Sequence, residues 1–405
     1  MITVDEARAV VLGHVITLPV ETVPLAQAEG RILRAAVLSD RDLPPFNRAA
    51  MDGFAVRSAD TVAAGARLRV AGEVRAGVWP DREVGPREAF RIMTGAPVPQ
   101  GADAVIQVER TKLDGPADVF IETSVAAGQN IVPKGSEATQ GAVLLDEGVR
   151  IGGAQLAVMA SVGVIEPVVA RKPRVAVIVT GDEVVDPGTA PSAAQIRNAN
   201  GPALISAIRE AGGAPTDFGV VKDDPETTRA AIARALDEGY DAIVLSGGVS
   251  AGDFDFVEPA LAKLGVALHV TAVQVKPGAP FVFGSRGETL VFGLPGNPVS
   301  AQVTFELFAR PALLKMQGAR ACLRPVFQAI LEAPLQNRSG RRNYLPVVAA
   351  WKDGALRVRP LRTQGSGDLV AHSQANALAI LEPDQTAAAA GDPVLLHPLS
   401  SFIEV

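Results

Sequence analysis

The chain has few of the side chains that carry redox and nucleophilic chemistry. One residue of 405 is cysteine and four are histidine. A lone cysteine, Cys322, excludes an intrachain disulfide framework and any Cys-rich zinc or iron–sulfur centre. It fits a reducing compartment. The histidines, at 14, 269, 372 and 397, show no metal-ligand spacing and read as structural. No Ser-His-Asp arrangement can be argued. No apolar run reaches the roughly 18 residues of a membrane span. The N-terminus, MITVDEARAVVLGHVI, carries acids early and lacks a basic-then-apolar signal layout. The reading is therefore cytoplasmic, with no membrane partner. Positive charge is also short: 38 Lys and Arg stand against 44 Asp and Glu, a net charge of −6. That excludes a broad nucleic-acid face, which needs basic side chains to displace phosphate counterions. It leaves room for a local basic pocket that holds a small anion. The chemistry must rest on carboxylates, lysine, arginine and backbone amides.

At about 150 residues per domain, this length corresponds to two or three domains. Hydrophobic residues make up 48% of the chain, enough to bury a core. Thr3 is placed to cap a first helix, with Asp5 and Glu6 in its first turn and apolar residues at 7, 10, 11 and 15. Pro44 and Pro45 stop any helix and impose an extended approach to FNRAAMDGFAV. Short β-like runs follow, ARLRVAGEV, EAFRIMTG, ADAVIQVER and DVFIETSV, separated by glycine-bearing turns. They read as a small β-rich domain. IGGAQLAVMASVGV reads as a helix, and its flanks are expected to pair with the N-terminal helices. The β-rich piece is then an insertion in a discontinuous helical domain.

From Pro173 the period changes. Continuous apolar runs (VAVIVT, DFGVVK, DAIVLSGG, LHVTAVQV, LVFGLPGN) alternate with amphipathic segments (GPALISAIREAG, PETTRAAIARALDEG, DFVEPALAKLG, PVSAQVTFELFARPALLKM). Buried strands between helices predict a doubly wound, mostly parallel α/β domain. Residues 323–405 show short strands and few helical patterns, and read as a small β domain.

In doubly wound sheets, ligands bind beyond the carboxyl ends of the strands. Here those ends carry Gly181-Asp182-Glu183, Lys222-Asp223-Asp224, Gly247 to Asp255, Lys276-Pro277-Gly278 and Leu294 to Pro298. One acid after a strand is often only a helix cap. Three such loops from one edge, each bearing an acid, suit Mg²⁺ with substrate phosphates completing its shell. The small residues of SGGVSAGD can form an anion-binding concavity, although no Walker lysine follows. Asn297 and Pro298 fit the cap and first residue of a helix whose N-terminus favours negative charge. Lys276 supplies a compact positive charge for an oxyanion. The stretch PPFNRAAMDGFAV, with Arg48 and Asp52, and the Thr94-Gly95 turn are unusually specified for linkers.

PPFNRAAMDGFAV, RIMTGAPVPQGADAVIQVE, VTGDEV, LSGGVSAGDFDFV, VKPGAPF and GLPGNPVSA together closely resemble the molybdopterin molybdenumtransferase family, the bacterial MoeA group to which the E domain of gephyrin is similar. The resemblance spans nearly the whole chain, with the motifs in the family's order. It implies four domains: a discontinuous helical linker domain (1–41 plus 135–172), a β-rich insertion (42–134), an α/β molybdopterin-binding domain (173–320) and a C-terminal β domain (321–405). It implies a head-to-tail homodimer in which the insertion of one subunit helps build the site of the other. It also implies transient contact with the adenylyltransferase of the same pathway. The implied reaction is Mg²⁺-dependent insertion of molybdate into adenylylated molybdopterin with release of AMP. Carried over by motif, Asp52 and Thr94 lie on the insertion side. Glu183, Asp224 and Asp255 supply acids near Mg²⁺ and the phosphates. Ser246, Gly247, Gly248, Ser250 and Gly252 form the anion-binding loop. Lys276 faces the oxyanion, Pro295, Asn297 and Pro298 shape the pocket loop, and Arg341 reaches the anion from the C-terminal domain.

The chain departs from the family at four places. Ala279 stands where lysine is usual, Val370-Ala371 where a serine pair is common, Gly135-Ser136-Glu137 for Gly-Glu-Asp, and Pro346 where an arginine is common. Losing one charge-assisted oxyanion partner costs about 1.5–3 kcal/mol. Ala279 and Val370-Ala371 therefore motivate a second reading, a diverged paralogue that binds or carries the pterin, or handles another oxyanion, without efficient insertion. A protein-clustering scaffold is a third reading. The absence of a long disordered linker argues against it.

Overall fold

The computed structural model describes residues 1–62, 65–115, 117–249 and 256–399. The expected site residues Ser250, Gly252 and Asp255 lie outside these described residues. Among the described residues no helix is long and apolar enough to cross a membrane.

The centre of the fold is a six-stranded sheet. Its order is Ala214–Val221, Arg174–Thr180, Ala242–Ser246, Thr289–Leu294, Val282–Arg286, Ala267–Val270. The first four strands run parallel. The continuous apolar runs are explained by burial on both faces. Val175, Val177, Ala242 and Val244 pack with Leu204, Ile208 and the helical stretch 298–316. Ala176, Ile178, Ile243 and Leu245 pack against Ile232, Ala235, Val257 and Leu261 on the opposite face. The helical stretch widens into a π turn at Phe305–Ala309, where the Arg310 N–H reaches back to the Phe305 carbonyl. This wider turn accommodates Pro311, which lacks the N–H for an ordinary helical bond.

Two local readings differ from the structure. The run LHVTAVQV is not one strand. Its first half, Ala267–Val270, pairs antiparallel at the sheet edge with Val282–Arg286, which forms a hairpin with Thr289–Leu294 that the reading from sequence passes over. Its second half, Val275–Lys276, pairs in parallel with the C-terminal strand Arg342–Lys352. Backbone pairing with a distant strand has no signature in local periodicity. The first helix, Val4–Gly13, forms as expected with a Thr3–Glu6 capping box. It buries Val4, Ala7 and Val11 against the central sheet's core and not against the 135–172 segment. That segment instead packs with residues 20–38. Val20–Thr22 pairs with Val168–Ala170, and Val37–Leu38 with Val143–Leu145. Helix Gly153–Ser161 covers this joint through Met159.

The insertion is a six-stranded sheet with apolar clusters on both sides. Its Gly53 is obligatory, because a Cβ there would lie 1.8 Å from the Ile106 carbonyl oxygen of the paired strand. In the C-terminal region, Arg342–Lys352, Ala355–Pro360, Phe327–Leu331, Pro393–Pro398 and Ala377–Leu381 pair in that order. The last strand also pairs with the first, closing a barrel. Inward Val347, Ala349, Val358, Ala379 and Leu396 fill it. The multidomain architecture of α/β and β parts is the fold class indicated by the sequence.

Candidate functional site

A cavity of about 1060 Å³ opens between the carboxyl ends of the central strands and the C-terminal barrel. The sheet side is built on close backbone approach. Gly247 has φ +102°, and a Cβ there would fall 2.7 Å from the Thr180 carbonyl oxygen of the neighbouring strand. Gly248, with φ +65°, continues this left-handed path. Ser246 lines the cavity, but its hydroxyl is occupied. It accepts from Asn200 Nδ2 at 2.8 Å and donates to the Pro295 carbonyl at 3.3 Å. Asn200 also donates to the Gly296 carbonyl at 2.8 Å. This buried amide therefore ties together two loops of the rim. Ser246 is a structural tie and not a free ligand donor.

The acids are arranged differently from the expectation. Glu183 lines the cavity, but Asp224 does not. Asp224 caps helix Pro225–Asp237, accepting the N–H groups of Glu226 and Thr227, each at 3.0 Å, and the Thr227 hydroxyl. Those bonds, the Thr227 hydroxyl foremost, hold its carboxyl below the ordinary range. The neighbouring Asp223 faces the cavity instead. Burial pushes its carboxyl above the ordinary range, and the nearby Glu183 and Asp182 charges add to the push. Two adjacent aspartates cannot be told apart by composition; helix geometry assigns one to the cap. Of the expected trio, Glu183 faces the cavity, Asp224 is spent on the helix cap, and Asp255 lies outside the described residues. No group of three His, Cys, Asp or Glu side chains suited to a metal ion occurs among the described residues.

The cations come from the barrel side and the lip. Val275–Lys276 runs beside Arg342–Asn343, which brings Lys276 next to the segment carrying Arg341. Both line the cavity. Arg197, on the short strand Ile196–Arg197 that pairs beside Val184–Val185, lines the lip. None of these three head groups has an ion pair or hydrogen-bond partner among the described residues. Nothing in the loop sequence around Arg197 marked it as a site residue. Pro295, Asn297 and Pro298 line the wall as expected. Asn297 occupies the cap position of the helix with its side chain making no cap bond. The Val299 N–H at that helix start donates to the Ser366 carbonyl at 3.1 Å, docking the barrel loop onto the sheet side. Asp368 and His372 from this loop also line the cavity. Asp368 is held ionised by the N–H groups of Gln364 and Ala371.

Of the departures from the family, Ala279 and Pro346 line the cavity. Val370 points away and is 71% exposed. Ala371 is buried and is not part of the wall. Asp52 and Thr94 are brought together, but elsewhere. Asp52 Oδ1 accepts from Thr94 N at 2.7 Å and from Thr94 Oγ1 at 2.6 Å, on the exposed tip of the insertion. They are not in the cavity wall of their own chain.

Three family models cover the chain in order: the MoeA N-terminal region (domain I and II) over 2–163, a probable molybdopterin binding domain over 176–315 and the MoeA C-terminal region (domain IV) over 328–399. The molybdopterin molybdenumtransferase of Nostoc sp. is 34% identical over 94% of this chain and 88% of its own length. The chain belongs to the molybdopterin molybdenumtransferase family. Membership makes it an enzyme of molybdenum-cofactor biosynthesis. The Haemophilus influenzae molybdopterin molybdenumtransferase is 32% identical with both chains fully covered. A molybdopterin biosynthesis MoeA protein from Pyrococcus horikoshii OT3 superimposes with a TM-score of 0.84 at 29% identity, covering 98% of this chain and 100% of that one. Another structure, of a molybdopterin biosynthesis MoeA protein from Pyrococcus horikosii, is 33% identical with a TM-score of 0.81, covering 99% of this chain and 100% of that one.

Proposed function

We propose that this family member inserts molybdenum from molybdate into adenylylated molybdopterin with release of AMP. The observation that carries the reading is the division of one cavity. The carboxylates Glu183 and Asp223 stand on the sheet side, and Lys276, Arg341 and Arg197, unpaired among the described residues, stand on the barrel side and lip. A divalent oxyanion beside a phosphoanhydride needs such positive charge, because negative charge develops as the anhydride is cleaved. Lys276 and Arg341 bind and orient the oxyanion, and Arg197 is placed to meet the phosphates. The loop at Gly247 and Gly248 presents backbone at close range with no side chain in the way. The Asn200–Ser246–Pro295 tie fixes that loop, so its position costs no reorganisation during the reaction.

The donor set also fits Mg²⁺. This ion prefers one or two carboxylates together with substrate phosphates, and Glu183 and Asp223 are such a pair. When bound, it supplies charge neutralisation at the phosphates. The exposed Asp52–Thr94 pair supports the shared site: we propose a cytoplasmic homodimer in which it faces the cavity of the partner subunit. The division at 1–41 plus 135–172, 42–134, 173–320 and 321–405, and a transient contact with the adenylyltransferase that supplies the substrate, belong to the same proposal.

The test supplies adenylylated molybdopterin, Mg²⁺ and molybdate. AMP release and molybdenum retained on the pterin are expected; the absence of both overturns the reading. The second reading, a carrier without efficient insertion, draws on Ala279 in the cavity wall. Restoring lysine with Ala279→Lys distinguishes the two. An unchanged molybdate affinity removes the reason for invoking a diverged function.

A further inference from the structure

Five asparagines are buried among the described residues: Asn198, Asn200, Asn337, Asn343 and Asn376. Four of them spend their side chains inside the protein. Asn198 accepts from Gly201 N, and Asn200 donates to Ser246 and to the Gly296 carbonyl. Asn337 donates to the Arg341 and Glu382 carbonyls, and Asn376 bonds both backbone groups of Ala349. Asn343 differs. It is 3% exposed, and its amide has no partner among the described residues. A buried amide without a hydrogen bond is an exception that needs a cause. Neither amide atom is sealed in the wall, so both reach open space, and the open space beside Asn343 is the cavity.

Strand register fixes the direction of this side chain. Lys276 and Asn343 are direct partners in the parallel pairing of Val275–Lys276 with Arg342–Lys352. Side-by-side residues of neighbouring strands point to the same face, and successive residues alternate. The alternate positions are spent elsewhere. Val275 and Tyr344 pack into the core of the central sheet, and Arg342 pairs with Asp5 and Glu382. Arg341, two residues before Asn343, joins Lys276 in the cavity wall. The amide therefore stands beside both barrel-side cations. Charge explains why an amide suits this place. Ala279 and Pro346 bring no charge to the wall. A carboxylate at 343 would take Lys276 or Arg341 as its own partner, whereas a neutral amide leaves both free. It also offers two N–H donors where an oxyanion presents acceptors.

We propose that Asn343 is an oxyanion-binding residue, with Nδ2 donating to molybdate held by Lys276 and Arg341. The assignment rests on the oxyanion reading of the cavity. In SGRRNYLPV the arginines stand out and the asparagine does not; only the register with Lys276 singles it out.

The experiment titrates the full chain with molybdate and, separately, with AMP by calorimetry. Native protein is compared with Asn343→Ala and Asn343→Asp. Asn343→Ala should weaken molybdate binding by about tenfold, the loss of one hydrogen bond to an anion, and leave AMP affinity and Tm unchanged. Asn343→Asp should weaken molybdate further, because its carboxylate pairs with the cations, and Tm should not fall. NMR of protein isotopically labelled only at its asparagine side chains accompanies the titration. The NH₂ signal missing from Asn343→Ala should shift in native protein when molybdate is added. Native molybdate binding that Asn343→Ala leaves intact, or an NH₂ signal that stays still at saturation, overturns the assignment and spares the reading of the cavity. An equal loss of AMP affinity makes 343 a structural position and also overturns the assignment. Native protein that binds no molybdate overturns the oxyanion reading itself and the assignment with it.

Discussion

The cavity and the tip of the insertion treat their charged groups in opposite ways. In the cavity, Lys276, Arg341 and Arg197 line the wall without a partner among the described residues. At the tip, Asp52 is satisfied by Thr94, and the Thr94 hydroxyl and N–H hold its carboxyl below the ordinary range. An unpaired cation in a concave wall is poised for an external anion. A self-satisfied acid on an exposed tip is a rigid, pre-oriented charge that gains a role only where something meets it. The difference also shows in what lies behind each. Behind the cavity, the π turn carries Glu306, which accepts from Arg324 at 2.7 Å and meets His397 at 3.3 Å. Tyr344, in the cavity wall, packs edge-on against that histidine. The tip has solvent around it.

The largest expected effect comes from breaking that support. Glu306→Gln leaves Arg310 without its carboxylate and Arg324 with only the more exposed Glu210, and should cost about 3 kcal/mol in chemical denaturation. Burial works against ionisation of Glu306, but its bonds to His397 and Arg324 prevail and hold the folded-state pKa below the ordinary 4.5. Its contribution to stability is therefore present above pH 4.5 and is lost as pH falls through the lower folded value. A variant whose acid-side stability profile matches the native protein would contradict this. Next, Lys276→Ala and Arg341→Ala should each lower kcat/KM by roughly 10–150-fold, the loss of about 1.5–3 kcal/mol of charge-assisted binding. Tm should stay unchanged, since neither head group has a partner to lose among the described residues. An equal drop in Tm would make them structural.

The comparison itself is tested by mixing subunits. Asp52→Asn and Lys276→Ala, each impaired alone, should regain partial AMP release when combined. One cavity of a mixed dimer then has both groups intact. Failure to recover would place Asp52 in service of its own chain. The smallest effect separates the adjacent aspartates. Asp223→Asn should reduce turnover with little change in Tm. Asp224→Asn should reduce Tm slightly through the weakened cap and leave kcat nearly intact. The reverse pattern would return the metal-side role to Asp224.

Much of the fold was legible because its causes are local. The capping box at Thr3, the apolar runs of the central strands and the amphipathic helices between them are set by neighbours in the chain. The edge strand Val282–Arg286 was passed over because its antiparallel pairing breaks the strand–helix alternation from which the parallel sheet was read. The site was legible in its residue types, with Glu183, Lys276, Pro295 and Arg341 all reaching the cavity. It was not legible in its division of labour. Ser246 is spent on Asn200, and Asp223 rather than Asp224 faces inward. Val370 and Ala371 fall outside the wall and so carry less weight than Ala279.

The sequence by itself determined the elements, the acid-bearing strand ends and the family. A helix cap or a buried strand depends on a few consecutive side chains. Only the tertiary structure decided which charges are spent and which are free. It joined Lys276 to the barrel strand, turned Asp223 inward, left three cavity cations unpaired among the described residues and stacked His14 on His269. Each of these outcomes depends on residues far apart in the chain meeting in space. Whether a polar group is satisfied is a property of that meeting and not of the group's own neighbours in sequence.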